Sequence, residues 1–211
     1  MIRRRISWAR WMSFANSQHS EHSSFREKLL EHLLVSEILR YLWLERVTVA
    51  EVLKPDVDNG GYDVVLSCGA VTRHVQLKSS FRDASTRSQS VNRRLSEKPS
   101  GCIVWVQFDP ATLGLGPFLW FGAPPGQSLP DLSAFPVAKH TKGNAQGIKL
   151  PRPNIRKVPR SAFSTVASIA ELVQRLLGDI SRWQLPLPLM IAEEGSDDEV
   201  DGDLDGNHET S

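Results

Sequence analysis

The sequence predicts an α/β domain built around one central mixed β-sheet. Three stretches carry that prediction: a helix with an apolar stripe over residues 23–45, a β-hairpin over 60–80, and a continuous apolar strand over 101–109. The helix comes first. Leu29, Leu30, Leu33, Leu34, Ile38, Leu42 and Trp43 recur at helical spacing, Ser23 or Ser24 can cap the start, and Glu27 falls near the capping-box position. Glu31 sits at the border of the apolar stripe. Thr48 to Leu53 reads as a short strand, and residues 54–61 form a loop rich in Asp, Asn and Gly that leads into the hairpin.

Within the hairpin, Tyr62 to Ser67 and Ala70 to Lys78 are the two arms, with a tight turn expected at Cys68-Gly69. That turn places Asp63 opposite His74 and diagonal to Gln76. Side chains alternate along a strand, so Asp63, His74, Gln76 and Lys78 share one face. Val64, Leu66, Val75 and Leu77 share the other. The polar segment Thr86 to Lys98 is expected to contain a helix with Val91 and Leu95 inward. Gly101 to Asp109 follows as a buried strand, Pro117 to Gly122 as an aromatic one, and residues 123–136 as a proline-rich loop. Trp105, Trp120 and Phe121 are expected to fill the core. A last helix spans Ser168 to Leu177 and stops at Gly178.

The 211 residues fit one domain, over 23–182, with two appendages. Residues 1–22, with Arg3, Arg4, Arg5, Trp8 and Trp11, read as a flexible basic extension; residues 183–211 read as a proline-rich and then acidic, disordered tail. Net charge is +1 overall, yet residues 193–211 hold nine acids and no Lys or Arg. The rest of the chain sets 15 acids against all 25 basic residues, a net of about +10. Such a body suits an anionic partner, nucleic acid before others. Cys68 and Cys102 are too few for a disulfide framework or a zinc site and read as reduced packing residues. No apolar run approaches the ~20 residues of a membrane span, so a cytoplasmic protein without a membrane partner is expected. The phosphate-loop, nucleophile-elbow and zinc-helix motifs are absent from the sequence.

An acid followed by a Gln-x-Lys step, behind a long helix carrying a Glu, resembles the PD-(D/E)XK, or restriction-endonuclease-like, nuclease superfamily. The resemblance is to branches with Gln-x-Lys in place of Glu-x-Lys and covers roughly Ser24 to Asp109. It implies an αβββαβ core, a mixed sheet flanked by helices, and metal-dependent phosphodiester hydrolysis. Position by position, it implies Asp63 as the metal-binding acid, Gln76 as a ligand, Lys78 as the catalytic lysine, and Glu31 as the helix glutamate, with Glu27 as the alternative. A magnesium or manganese ion would take oxygen from Asp63, Gln76 and the Leu77 carbonyl, and from Glu31 through a water, with Asp56 and Asp58 close by in the approach loop. The ion would activate water, and Lys78 would position that water or stabilise charge on phosphorus. The sequence departs from the family pattern in its neutral Gln76 and in Tyr62, which stands where a proline precedes the acid.

A second constellation lies downstream. His140, Lys142 and Asn144 in a glycine-punctuated loop, followed by Arg152, Arg156, Lys157 and Arg160, could contact a nucleic-acid backbone. A solvated loop with turn-forming residues is the plainer alternative. The expected partners are nucleic acid, DNA before RNA, and a second copy of the chain in a homodimer. A non-catalytic nucleic-acid-binding or assembly module on the same fold is the rival reading.

Overall fold

The computed structural model describes residues 18–57 and 60–186. Most of the basic extension, Asp58 and nearly all of the tail lie outside the described residues. The chain is a mixed α/β protein with few helices. Among the described residues, no helix is long and apolar enough to cross a membrane.

Helix α1 spans Ser23–Leu44 and buries Leu30, Leu34, Ile38 and Leu42, one row of the expected stripe. Leu29 and Leu33 flank that row half-buried, and Trp43 is exposed. The expected serine cap does not form: His22 occupies the N-cap without a side-chain bond. The reason lies upstream, where residues 18–21 are also helical and the His22 N–H reaches the Gln18 carbonyl at 3.0 Å. These residues belong to the folded body rather than to a loose extension. His19 stacks edge-on against Phe81 and Phe108 and bonds through Nε2 to the Pro110 carbonyl.

Strands β1 (Ala50–Leu53), β2 (Val64–Cys68), β3 (Val71–Phe81), β5 (Gly101–Phe108), β6 (Leu115–Gly122) and β9 (Ser164–Val166) form a six-stranded sheet in the order β1-β2-β3-β5-β6-β9. Only β3 and β5 run parallel; every other neighbouring pair is antiparallel. The β2–β3 turn falls at Gly69-Ala70, one residue later than expected, because Gly69 supplies the positive φ of 54°. The register therefore moves by two residues. His74 faces Val65, and the same ladder carried on sets Asp63 against Gln76. A two-residue slip keeps every side chain on its face.

Between β3 and β5 the expected helix is replaced by strand β4 (Ser88–Asn92) and a 3₁₀ turn, Arg93–Glu97. Ser-Gln-Ser-Val-Asn is a poor helix former, and it instead pairs with β8 (Pro151–Pro159). Strand β7 (Val137–Lys139) completes a second, three-stranded sheet in the order β4-β8-β7. Pro153 falls at the irregularity where the β7–β8 register shifts, so it blocks no regular ladder bond. Helix α2, Ile169–Leu177, has Ser168 as its cap and ends at Gly178 as expected.

Among the described residues, both α-helices therefore pack on the same face of the central sheet. On that face α1 and α2 bury Leu34, Ile38, Leu172 and Leu176 against Val75, Val104, Val106 and Trp120. On the other face the small sheet and the 129–135 loop bury Val91, Leu95, Val158 and Leu132 against Ile103, Trp105, Leu119 and Phe121. The expected mixed sheet flanked by helices is thus, among the described residues, layered as helices, large sheet, small sheet. Strand β5 is buried along its whole length because both layers press on it.

Candidate functional site

The site follows from unequal strand lengths. Pairing of β2 with β3 ends at Val64 opposite Val75, but β3 runs on to Phe81. Beyond that point no strand among the described residues pairs with β3 on the β2 side, and a cavity of about 620 Å³ lies there. Its walls are the first two turns of α1 and the middle of β4; its floor is Leu77, Lys78 and Ser79. Asp63, Glu27 and Glu31 also line it.

Asp63 is fixed just before β2 by two bonds to β3. Its N–H donates to the Val75 carbonyl at 2.9 Å, and its Oδ2 accepts the Leu77 N–H at 2.6 Å. The carboxylate thereby satisfies an N–H on the exposed edge of β3 while remaining at the cavity wall. Glu31 is 5% exposed on the buried side of α1. Two lysines hold it, Lys54 Nζ at 2.6 Å from Oε1 and Lys28 Nζ at 3.0 Å from Oε2. Burial pushes this carboxyl up, but the hydrogen bonds and charges of Lys54 and Lys28 together outweigh it and hold Glu31 below its ordinary value.

Neither a family model, nor a curated protein, nor a solved structure matches this chain.

The structure brings Asp63, Lys78, Glu31 and Glu27 to one cavity, with Leu77 at its floor. Gln76 and His74 stand apart from it. Gln76 is buried, and its Oε1 accepts the Asn92 N–H of β4 at 3.3 Å. His74 packs edge-on against Tyr62 and bonds through Nδ1 to the Pro99 carbonyl at 2.8 Å. His140, Lys142 and Asn144 line a separate cavity of about 370 Å³ in the β7–β8 hairpin. There the Asn144 side-chain oxygen accepts the N–H groups of Gln146 and Ile148, so it shapes the loop's own turn. Arg152, Arg156 and Lys157 lie on β8, outside the walls of the larger cavity. Asp56 does not line that cavity either.

Sequence reasoning did not single out Lys28, Lys54, Gln89 or Ser90. Lys28 was legible, three residues before Glu31 on one helix face. Lys54 and the β4 pair were not, because only tertiary packing brings them to the site. Cys68 and Cys102 are both free and buried, and burial pushes the Cys102 thiol up to about 11, with the Arg73 guanidinium beside it pulling the other way. Among the described residues, no group of three or more His, Cys, Asp or Glu side chains stands ready to hold a metal ion.

Proposed function

We propose that this chain hydrolyses phosphodiester bonds in nucleic acid, DNA in the first place, with a divalent cation as cofactor. One observation carries the proposal: Glu31, Asp63 and Lys78, far apart in sequence, line one cavity at the open edge of β3. The element order α1-β1-β2-β3, then β5 parallel to β3, agrees with a restriction-endonuclease-like core. Strand β4 in place of the second helix departs from it.

The donor set fits a magnesium-type ion, which takes one or two carboxylates and keeps several waters. Asp63 and Glu31 would hold it, with the Leu77 carbonyl as a third oxygen. Gln76 does not fit as a ligand, because its amide oxygen is turned to β4. Bound there, such an ion lowers the pKa of a coordinated water and polarises a phosphoryl oxygen. Asp63 is pre-oriented by the Leu77 N–H, so its carboxylate needs little reorganisation. Lys78 at the cavity floor supplies positive charge where negative charge develops on phosphorus. Lys28 and Lys54 hold the Glu31 carboxyl below its ordinary value, which favours the charged form.

A nuclease assay with Mg²⁺ or Mn²⁺ on supercoiled, linear and single-stranded DNA tests this. Cleavage by the wild type that is lost in Asp63→Ala and Lys78→Ala is expected; equal activity in all three would refute the proposal. The engagement of Gln76 with Asn92 favours a second reading, a nucleic-acid-binding module without catalysis. In that case salt-sensitive binding persists in Lys78→Ala, and no metal brings cleavage from either protein.

A further inference from the structure

Two more cavities are lined by the segments just before and just after β4, whose middle lines the cavity just described. At the start of β4, a cavity of about 350 Å³ is lined by Arg82, Arg87, Arg160, Ser85 and Thr86, with Asp83 as its one acid. At the end of β4, a cavity of about 510 Å³ is lined by Arg93, Arg94, Lys98 and Asn154, with Glu97 as its one acid. Gln89 and Ser90, between them, line the candidate reactive cavity. The same order recurs on the neighbouring elements. Lys78 of β3 lines the central cavity, and Arg82 lines the first flank, four residues further on. Asp63 lines the central cavity, and Gly60, three residues earlier, lines the second flank.

Several of these cations are anchored rather than loose. Arg82 Nε donates to the Gly116 carbonyl at 2.9 Å, and the Arg160 guanidinium lies 5.4 Å from the Trp105 ring centre. Lys98 Nζ lies 5.6 Å from the Tyr62 ring centre. Anchored guanidinium groups keep further donors for phosphate oxygens and lose little freedom on binding. From Arg87 to Arg93 is six residues of extended chain, roughly 20 Å. That spans roughly six nucleotides of one strand in a duplex, where phosphates recur every ~3.4 Å of helix axis.

We infer that β4 is the spine of a phosphate track. Arg82 and Arg87 hold the backbone on one side of the candidate reactive cavity, and Arg93 and Arg94 hold it on the other. This rests on the nuclease reading and deepens it: a chain gripped on both sides is cut in its interior, not from its end.

The experiment measures duplex DNA binding by the full chain, without metal, across a range of salt concentrations. The variants are wild type, Arg82→Gln/Arg87→Gln, Arg93→Gln/Arg94→Gln, and Arg175→Gln on α2 as a control outside the track. Each phosphate that an arginine no longer neutralises takes about 0.9 off the slope of log K against log salt. Both double variants are expected to lose close to 2 from the slope, and Arg175→Gln to lose nothing. Circular dichroism confirms that each variant is folded. Loss in only one pair, or equal loss in Arg175→Gln, overturns the track. With metal added, closed circular duplex is expected to be opened; cleavage only of DNA with free ends overturns interior scission. Failure of the wild type to bind DNA at all sinks the nuclease reading together with the track. Wild-type binding and cleavage with both slopes unchanged sinks the track alone.

Discussion

Glu31 and its two lysines give a prediction that separates the partners of one ion-pair cluster. Replacing Glu31 with Gln leaves Lys28 and Lys54 without their acid, but their side chains are 67% and 43% exposed and can turn to water. The loss should be small, about 1 kcal/mol. The double variant Lys28→Met/Lys54→Met does the reverse. It strands a carboxylate whose side chain is 6% exposed, and removing the partners of a buried charge costs about 3–5 kcal/mol. Here the lower end is expected, about 3 kcal/mol, because the carboxyl borders a cavity that admits water.

The two proteins should also differ in sign with pH. In the wild type the folded-state pKa of Glu31 is lowered, so its stabilisation is present above the ordinary carboxylate range and is lost as pH falls through the folded value. In the double variant only burial remains and pushes the carboxyl up. Stability should then rise as pH falls through the raised folded value, by up to about 1.4 kcal/mol per pH unit. Urea unfolding from about pH 8 down to about pH 2, with carbon NMR titration of the Glu31 carboxyl, reads both effects. Equal destabilisation by the two changes, or a double variant that weakens on acidification as the wild type does, would refute the reasoning.

Two further predictions concern the scaffold. Arg73 is fully buried beside the Cys102 thiol, with Nη2 donating to the Ala123 carbonyl at 3.0 Å, and among the described residues its Nε and Nη1 make no hydrogen bond of ordinary geometry. Arg73→Met should therefore stabilise the fold by about 1–3 kcal/mol, even though the guanidinium no longer stacks on the Trp120 ring; a drop in melting temperature would contradict this. Gly69 has φ of 54°, and a Cβ there would run into the Trp183 indole. Gly69→Ala should lower stability by about 1–2 kcal/mol in chemical denaturation, and an unchanged midpoint would count against the hairpin packing described above.

What the sequence disclosed depended on periodicity. Helix α2, strand β5 and the two-faced hairpin have strong apolar patterns, and each lies close to where the pattern put it. The turn was misplaced by one residue because both Cys68-Gly69 and Gly69-Ala70 contain the needed glycine; the face of Asp63 and Lys78 survived because that slip moves the register by two. Strand β4 was misread because a short polar segment with two apolar residues, Val91 and Leu95, fits either period. That misreading also hid the fate of Gln76, since the partner of its amide oxygen lies on β4. For the candidate site, the two acids and the lysine were legible as residue types at plausible spacing. Lys54, Gln89 and Ser90 were not, because only the folded chain brings them near.

The central claim is that Asp63 and Glu31, from separate elements, hold one divalent ion beside Lys78. Titration with Mn²⁺, read by electron paramagnetic resonance, tests it most directly. One ion per chain is expected, lost in Asp63→Asn, weakened roughly tenfold in Glu31→Gln and retained in Lys78→Met. Mn²⁺ binding of the same strength in wild type and Asp63→Asn, or none in the wild type with and without DNA, would contradict the account.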